Sequence, residues 1–192
     1  NGKLVKDALI LFAITLVAGL GLGAVYGITK EPMAQANYNI QQEAYRTVFP
    51  DAAEFEDLPD FDAGKASEIV KEAGYPDDTI EGCVQAVGGD GSLLGYVISA
   101  TDPNSYGGVT LDGIVNGYSI TTINDTAGLG MKAKEDAFSS QYANKQVDAF
   151  TVTKTGATSD DQIDAISGAT ITSNAVTNAV NASLAYYRDL VQ

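Results

Sequence analysis

The chain of 192 residues has no histidine and a single cysteine, Cys83, and its 25 acidic residues outnumber 11 basic ones. Without histidine it lacks the usual proton shuttle of neutral pH and the commonest zinc or haem ligand. One cysteine closes no internal disulfide and builds no thiolate cluster. Within the strand-like run IEGCVQAV it reads as a packed core residue. A formal net charge of −14 repels polyanions, which sets nucleic acid aside as a partner. No metal site and no catalytic residue is expected among the side chains.

Charge is also missing locally. From Ala8 to Thr29 the run ALILFAITLVAGLGLGAVYGIT carries none, and a helix of that length rises about 30 Å, the thickness of a bilayer's hydrocarbon core. The run predicts one transmembrane helix. Ala34-Gln35-Ala36 resembles a signal-peptide cleavage triplet, but the apolar run is longer than a normal signal core. Lys3 and Lys6 precede the span and Lys30, beside Glu31, follows it, so the positive-inside rule places the N-terminus in the cytoplasm and the rest outside. Gly19, Gly23 and Gly27 are spaced for close approach to another helix. Residues 1–29 hold Lys3, Lys6 and Asp7, a net of +1, which leaves −15 on the remainder.

Beyond the span, residues 37–49 carry Ile40, Ala44 and Val48 on one helical face, with a break expected at Glu31-Pro32 and an end at Pro50. Residues 51–64, acidic with Pro59 and Gly64, read as a surface loop. The stretch ASEIVKEAGY reads equally as a short helix or an irregular connection. TIEGCVQAV, the turn GGDGS and LLGYVISAT have the signature of a β-hairpin. GVTLDGIVN, YSITTIND and VDAFTVTK read as strands and KEDAFSSQYA as a helix. The last helix is expected to be capped by Thr172 or Ser173, with Val176, Ala179, Val180, Ser183, Leu184, Tyr187 and Val191 on one face. The fold class is therefore α+β, with a mainly antiparallel sheet and flanking helices.

The segment DAISGATITSNAV, Asp164 to Val176, packs small residues immediately before that helix. Glycine and alanine let backbone approach a ligand closely, and a helix N-terminus favours phosphate. On composition alone the stretch reads either as a phosphate cradle, to which Thr170 and Thr172 add hydroxyls, or as an ordinary tight loop.

DAISGAT resembles the flavinylation motif D-x-x-S/T-G-A-T of the FMN-binding domain family, with Asp164, Ser167, Gly168, Ala169 and Thr170 at its positions. The resemblance implies FMN attached through its phosphate to the Thr170 hydroxyl, loaded from FAD by a Mg-dependent flavin transferase. NDTAGLGM, Asn124 to Met131, resembles the family's E-T-P-G-L-G segment, which lies against the flavin. Thr126, Gly128, Leu129 and Gly130 match it, whereas Asp125 and Ala127 depart from it. Tyr106 to Gly108 resembles a further family turn, and Thr172 is the neighbouring hydroxyl.

Taken whole, the chain resembles the G-subunit family of Rnf complexes, which move electrons between ferredoxin and NAD while translocating sodium ions or protons. The C-subunit family of the sodium-translocating NADH:quinone reductases shares the plan but is generally longer. A membrane-tethered flavin-binding sensory module is a further alternative. The resemblance implies an electron carrier within a redox-driven translocase, with the other membrane, iron–sulfur and flavin subunits as partners. The expected division is a transmembrane anchor over 1–30, a helical and acidic linker region over 31–75, and an FMN-binding domain over 76–192.

Overall fold

Alternation of apolar side chains along the two central strands decides how the sheet is covered. The computed structural model describes residues 2–104, 109–112 and 116–191, and only the backbone of 109–112. Five antiparallel strands follow one another in the order β1 (Glu54–Asp57), β2 (Thr79–Val87), β3 (Leu93–Asp102), β4 (Val109–Asp112) and β5 (Ser119–Ile123). In β2 and β3, Cys83 lies opposite Ile98 and Val84 opposite Val97. A period of two sends these pairs to opposite faces.

On the first face, Ile80, Cys83, Ile98 and Ala100 meet α2 (Ala63–Glu72) and α4 (Thr170–Leu190) through Ala66, Val70, Val176 and Ala179. On the second, Val84, Ala86 and Val97 meet Tyr45, Val48 and Phe49 from the end of α1 (Gly2–Val48) and the residue after it. The Phe49 ring lies over Gly95, where a Cβ would come within 2.7 Å of it.

The chain divides into two compact units, Asn1–Ile40 and Gln41–Gln192. Within the first, α1 runs through Pro32 without ending, which corrects the expected break. Proline removes one N–H bond and crowds the carbonyl one turn back, yet the helix continues on both sides of Pro32 from Gly2 to Val48. The apolar window of α1 has a mean hydropathy of 2.5 and is long enough to cross a membrane.

Other expectations change at short range. The acidic stretch 51–64 is not wholly a loop: Glu54–Asp57 pair with Val84–Val87 as an edge strand. Of ASEIVKEAGY, Ala66 to Glu72 belongs to α2, whose N-terminus Asp62 caps by accepting from the N–H groups of Gly64 and Lys65. KEDAFSSQYA forms only a single α-turn, α3 (Asp136–Ser139), preceded by a 3₁₀ turn, Gly130–Lys134. VDAFTVTK contributes only β6 (Thr151–Thr153), which pairs in parallel with β7 (Gln162–Asp164). The hairpin β2–β3 and the strands β4 and β5 stand where the pattern puts them.

Candidate functional site

The motif begins at the end of β7, where Asp164 lies opposite Thr153. Gln141 grips its backbone from both sides, accepting from the Asp164 N–H at 2.7 Å and donating to its carbonyl at 3.3 Å. The chain then turns through Ile166–Ala169, closed by the Ala169 N–H on the Ile166 carbonyl at 2.9 Å. Gly168 has φ +78°, a left-handed conformation that glycine adopts without strain.

The helix α4 starts at Thr170, so its cap lies three or four residues ahead of the expected Thr172 or Ser173. Ala169 occupies the cap position and has no side chain able to accept a hydrogen bond. Neither Thr172 nor Ser173 caps, because both hydroxyls are committed elsewhere. The Ser173 hydroxyl accepts from the Ile166 N–H and donates to the Ala169 carbonyl, each at 3.0 Å, and so pins the turn to the helix. The Thr172 hydroxyl donates to Asp125. The first N–H groups of α4 are thus left without a side-chain acceptor, with the positive end of the helix dipole behind them.

Asp125 brings the second segment to this place. Its Oδ2 accepts from Thr172, and its Oδ1 accepts from the Thr126 N–H at 2.6 Å. Gly128, with φ +76°, turns the chain back. Gly130 follows where no side chain fits, since a Cβ there would lie 2.1 Å from Asp125 Oδ2 and 2.6 Å from Thr172 Oγ1.

Between the two segments lies a cleft of about 270 Å³. Of the residues singled out by sequence, Thr126, Leu129, Gly130, Gly168, Ala169, Thr170 and Thr172 line it. Thr170 is half-buried as the first residue of α4, whereas Leu129 and Ile171 are exposed apolar side chains at the cleft. Gly128 shapes the turn but does not line the cleft. Asp164 lines a different cleft, of about 640 Å³, with Gln141 and Lys145. Ser167 is exposed and lines neither. Tyr106 falls outside the described residues.

Sequence reasoning missed the Asp125–Thr172 contact and the Gln141 grip. Asp125 was visible as a departure from the family segment, whereas nothing local marks Gln141, 23 residues from its partner. Among the described residues no group of three or more His, Cys, Asp or Glu side chains is arranged to hold a metal. Cys83 is buried in the core, and burial pushes its thiol up to about 12.

An uncapped helix N-terminus facing a glycine turn is an arrangement that favours an anion, and residues 104–185 match the model of the FMN-binding domain. The chain is 34% identical over 195 residues to the G subunit of the Na(+)-translocating ferredoxin:NAD(+) oxidoreductase complex of Acetobacterium woodii, a match covering 96% of this chain and 92% of that one. It is 33% identical to the G subunit of the proton-translocating ferredoxin:NAD(+) oxidoreductase complex of Clostridium ljungdahlii, over 91% of this chain and 90% of that one. The chain belongs to the G-subunit family of ion-translocating oxidoreductase complexes, within the FMN-binding-domain proteins. A crystal structure of Shewanella oneidensis NqrC shares the fold, with a TM-score of 0.50 at 15% identity over 77% of this chain and 88% of that one.

Proposed function

We propose that the chain is the electron-transfer subunit of a membrane-bound, ion-pumping ferredoxin:NAD oxidoreductase, and that FMN is joined to the Thr170 hydroxyl by a phosphoester. The observation that carries the reading is the placement of Thr170. It is the first residue of an uncapped helix, in a cleft whose other wall is the Asp125–Gly130 turn. When bound, FMN supplies one- and two-electron transfer, chemistry that needs no histidine or cysteine from the protein.

The residues fit that group. Backbone N–H groups at the start of α4 are free to hold phosphate oxygens. Gly168 keeps the approach clear, and the exposed Leu129 and Ile171 offer apolar surface beside it. Asp125 has both carboxylate oxygens occupied by donors, which limits its repulsion of a phosphate. Attachment forms one phosphoester at Thr170 and breaks the pyrophosphate of FAD; AMP departs and the threonine proton is released. A flavin transferase performs this step. Asp164, exposed and turned to another cleft, is available to that enzyme rather than to the flavin. The apolar part of α1 is the membrane anchor, with the N-terminus cytoplasmic and the flavin domain on the outer side. The other subunits of the complex are the electron partners.

The test is intact mass and in-gel flavin fluorescence under denaturing conditions, on protein from its own host and on Thr170→Ala. An adduct on the first and none on the second is expected. A fluorescent adduct retained by Thr170→Ala sinks the assignment.

A further inference from the structure

Away from the cleft, two carboxyl groups are buried against each other. The pairing of β2 with β3 sets Thr79 opposite Thr101, and extending that antiparallel register by one residue sets Asp78 opposite Asp102. Side chains directly opposite in such a pair have Cβ atoms about 5 Å apart, and like charges there repel. Asp102 is fully buried and Asp78 is 4% exposed.

Their surroundings differ. Asp102 accepts the Asn104 N–H at 2.6 Å and the Asn178 side-chain amide at 3.2 Å, and the second bond ties α4 to the end of β3. Among the described residues Asp78 Oδ1 has no hydrogen-bond partner. The charged groups that bear on Asp78 are both acidic, Asp102 and Asp77, and Asp77 is itself engaged by the Asn104 amide. Glu81, further along β2, is held by the Thr101 hydroxyl. The two ion pairs formed by described residues, Lys145–Asp160 and Arg188–Asp148, do not involve Asp78 or Asp102.

We propose that Asp78 and Asp102 form a carboxyl–carboxylate pair that shares one proton up to near neutral pH, and that losing this proton loosens the seat of α4 on the sheet. A buried carboxylate with one oxygen unsatisfied, facing a second carboxylate, is expensive, and a proton on Asp78 removes the conflict while Asp102 keeps its two donors. Burial first, and then the charge of Asp102, push the Asp78 carboxyl up from 3.8 to about 7. The folded chain therefore keeps a proton that the unfolded chain releases, so stability falls as pH rises from the ordinary carboxylate range to about 7 and is flat above it. The helix affected is the one that begins at Thr170, so the pair makes the frame of the cleft sensitive to the pH around it.

The test follows the thermal unfolding midpoint of the full chain in detergent by circular dichroism across this pH range, for the natural protein and for Asp78→Asn, which mimics the protonated form in shape. The natural protein's midpoint falls relative to the variant's by on the order of 5 °C between the acid end and about pH 7. Infrared difference spectra show a carboxylic-acid C=O band below about pH 7 that is lost above it and is absent from Asp78→Asn. Should that variant not fold, Asp102→Asn serves in its place: removing the like charge moves loss of the band to lower pH. Parallel midpoint curves with no such band overturn the proposal. So does a calcium-induced rise of the midpoint above pH 7 that Asp78→Asn lacks, which makes the pair a metal site instead.

Discussion

The Thr172 hydroxyl donates to the carboxylate of Asp125, 47 residues earlier in the chain, and this bond joins the two segments that make the cleft. Thr172 is almost wholly buried and Asp125 half-buried, so water replaces the bond poorly once it is lost. A double-mutant cycle with Asp125→Ala and Thr172→Val is expected to give a coupling of ~1.5–3 kcal/mol in thermal or denaturant unfolding, the range for a hydrogen bond to a charged group. Additive effects of the two changes would show that the contact contributes nothing.

Gly130→Ala tests the same contact without touching either partner. The new Cβ would lie 2.1 Å from Asp125 Oδ2 and 2.2 Å from its Cγ, so the carboxylate must swing away and release Thr172. The variant is expected to lose ~1–3 kcal/mol, as overpacked sites do. In the Asp125→Ala background the added methyl should cost less, because the two nearest atoms it meets are gone and only the Thr172 hydroxyl, now free to rotate, remains at 2.6 Å. An equal loss in both backgrounds would place the strain elsewhere.

Gly168→Val places a β-branched side chain at φ +78°, a region such residues avoid, and its Cβ would lie 3.2 Å from Leu129 Cδ2. A destabilisation of at least ~1 kcal/mol is expected. Flavin loading by a transferase should fall too, read as the fraction of protein carrying the mass adduct. Full loading would mean that close approach at residue 168 is not needed.

Asn181 is a buried polar residue of α4 whose amide accepts from the Phe150 N–H at 2.7 Å and donates to the Phe150 carbonyl at 2.9 Å. It takes the place of a strand neighbour for that residue. Asn181→Ala leaves both backbone groups buried and unpaired, at a cost of ~2–3 kcal/mol in unfolding experiments. Asn181→Asp keeps only the acceptor and should recover part of the loss at low pH, where its carboxyl can donate.

Much of the frame was legible in sequence because it rests on local periodicity. The uncharged run to Thr29, the glycine turn between β2 and β3, and the apolar face of α4 each depend on residues close in the chain. In α4, Val176, Ala179, Val180 and Ser183 are buried as their spacing implies, whereas Val191, one residue past the helix, is exposed. The motif is at the helix N-terminus as expected, although the structure places the cap at Ala169, three or four residues ahead of the Thr172 or Ser173 that the sequence suggested.

What sequence could not supply were contacts between distant segments, which carry no local pattern. Whether Thr172 caps its own helix or bonds across a cleft depends on where Asp125 arrives, and that is set by the β5 strand leading to it. The β6–β7 pairing, the grip of Gln141 on Asp164 and the burial of Asp78 opposite Asp102 are likewise consequences of packing. The amino-acid sequence by itself determined an apolar helix, a meander of strands and a threonine ahead of the last helix. The tertiary structure alone decided which polar groups meet, because a hydrogen bond between residues dozens of positions apart forms only after the sheet and helices have brought them together.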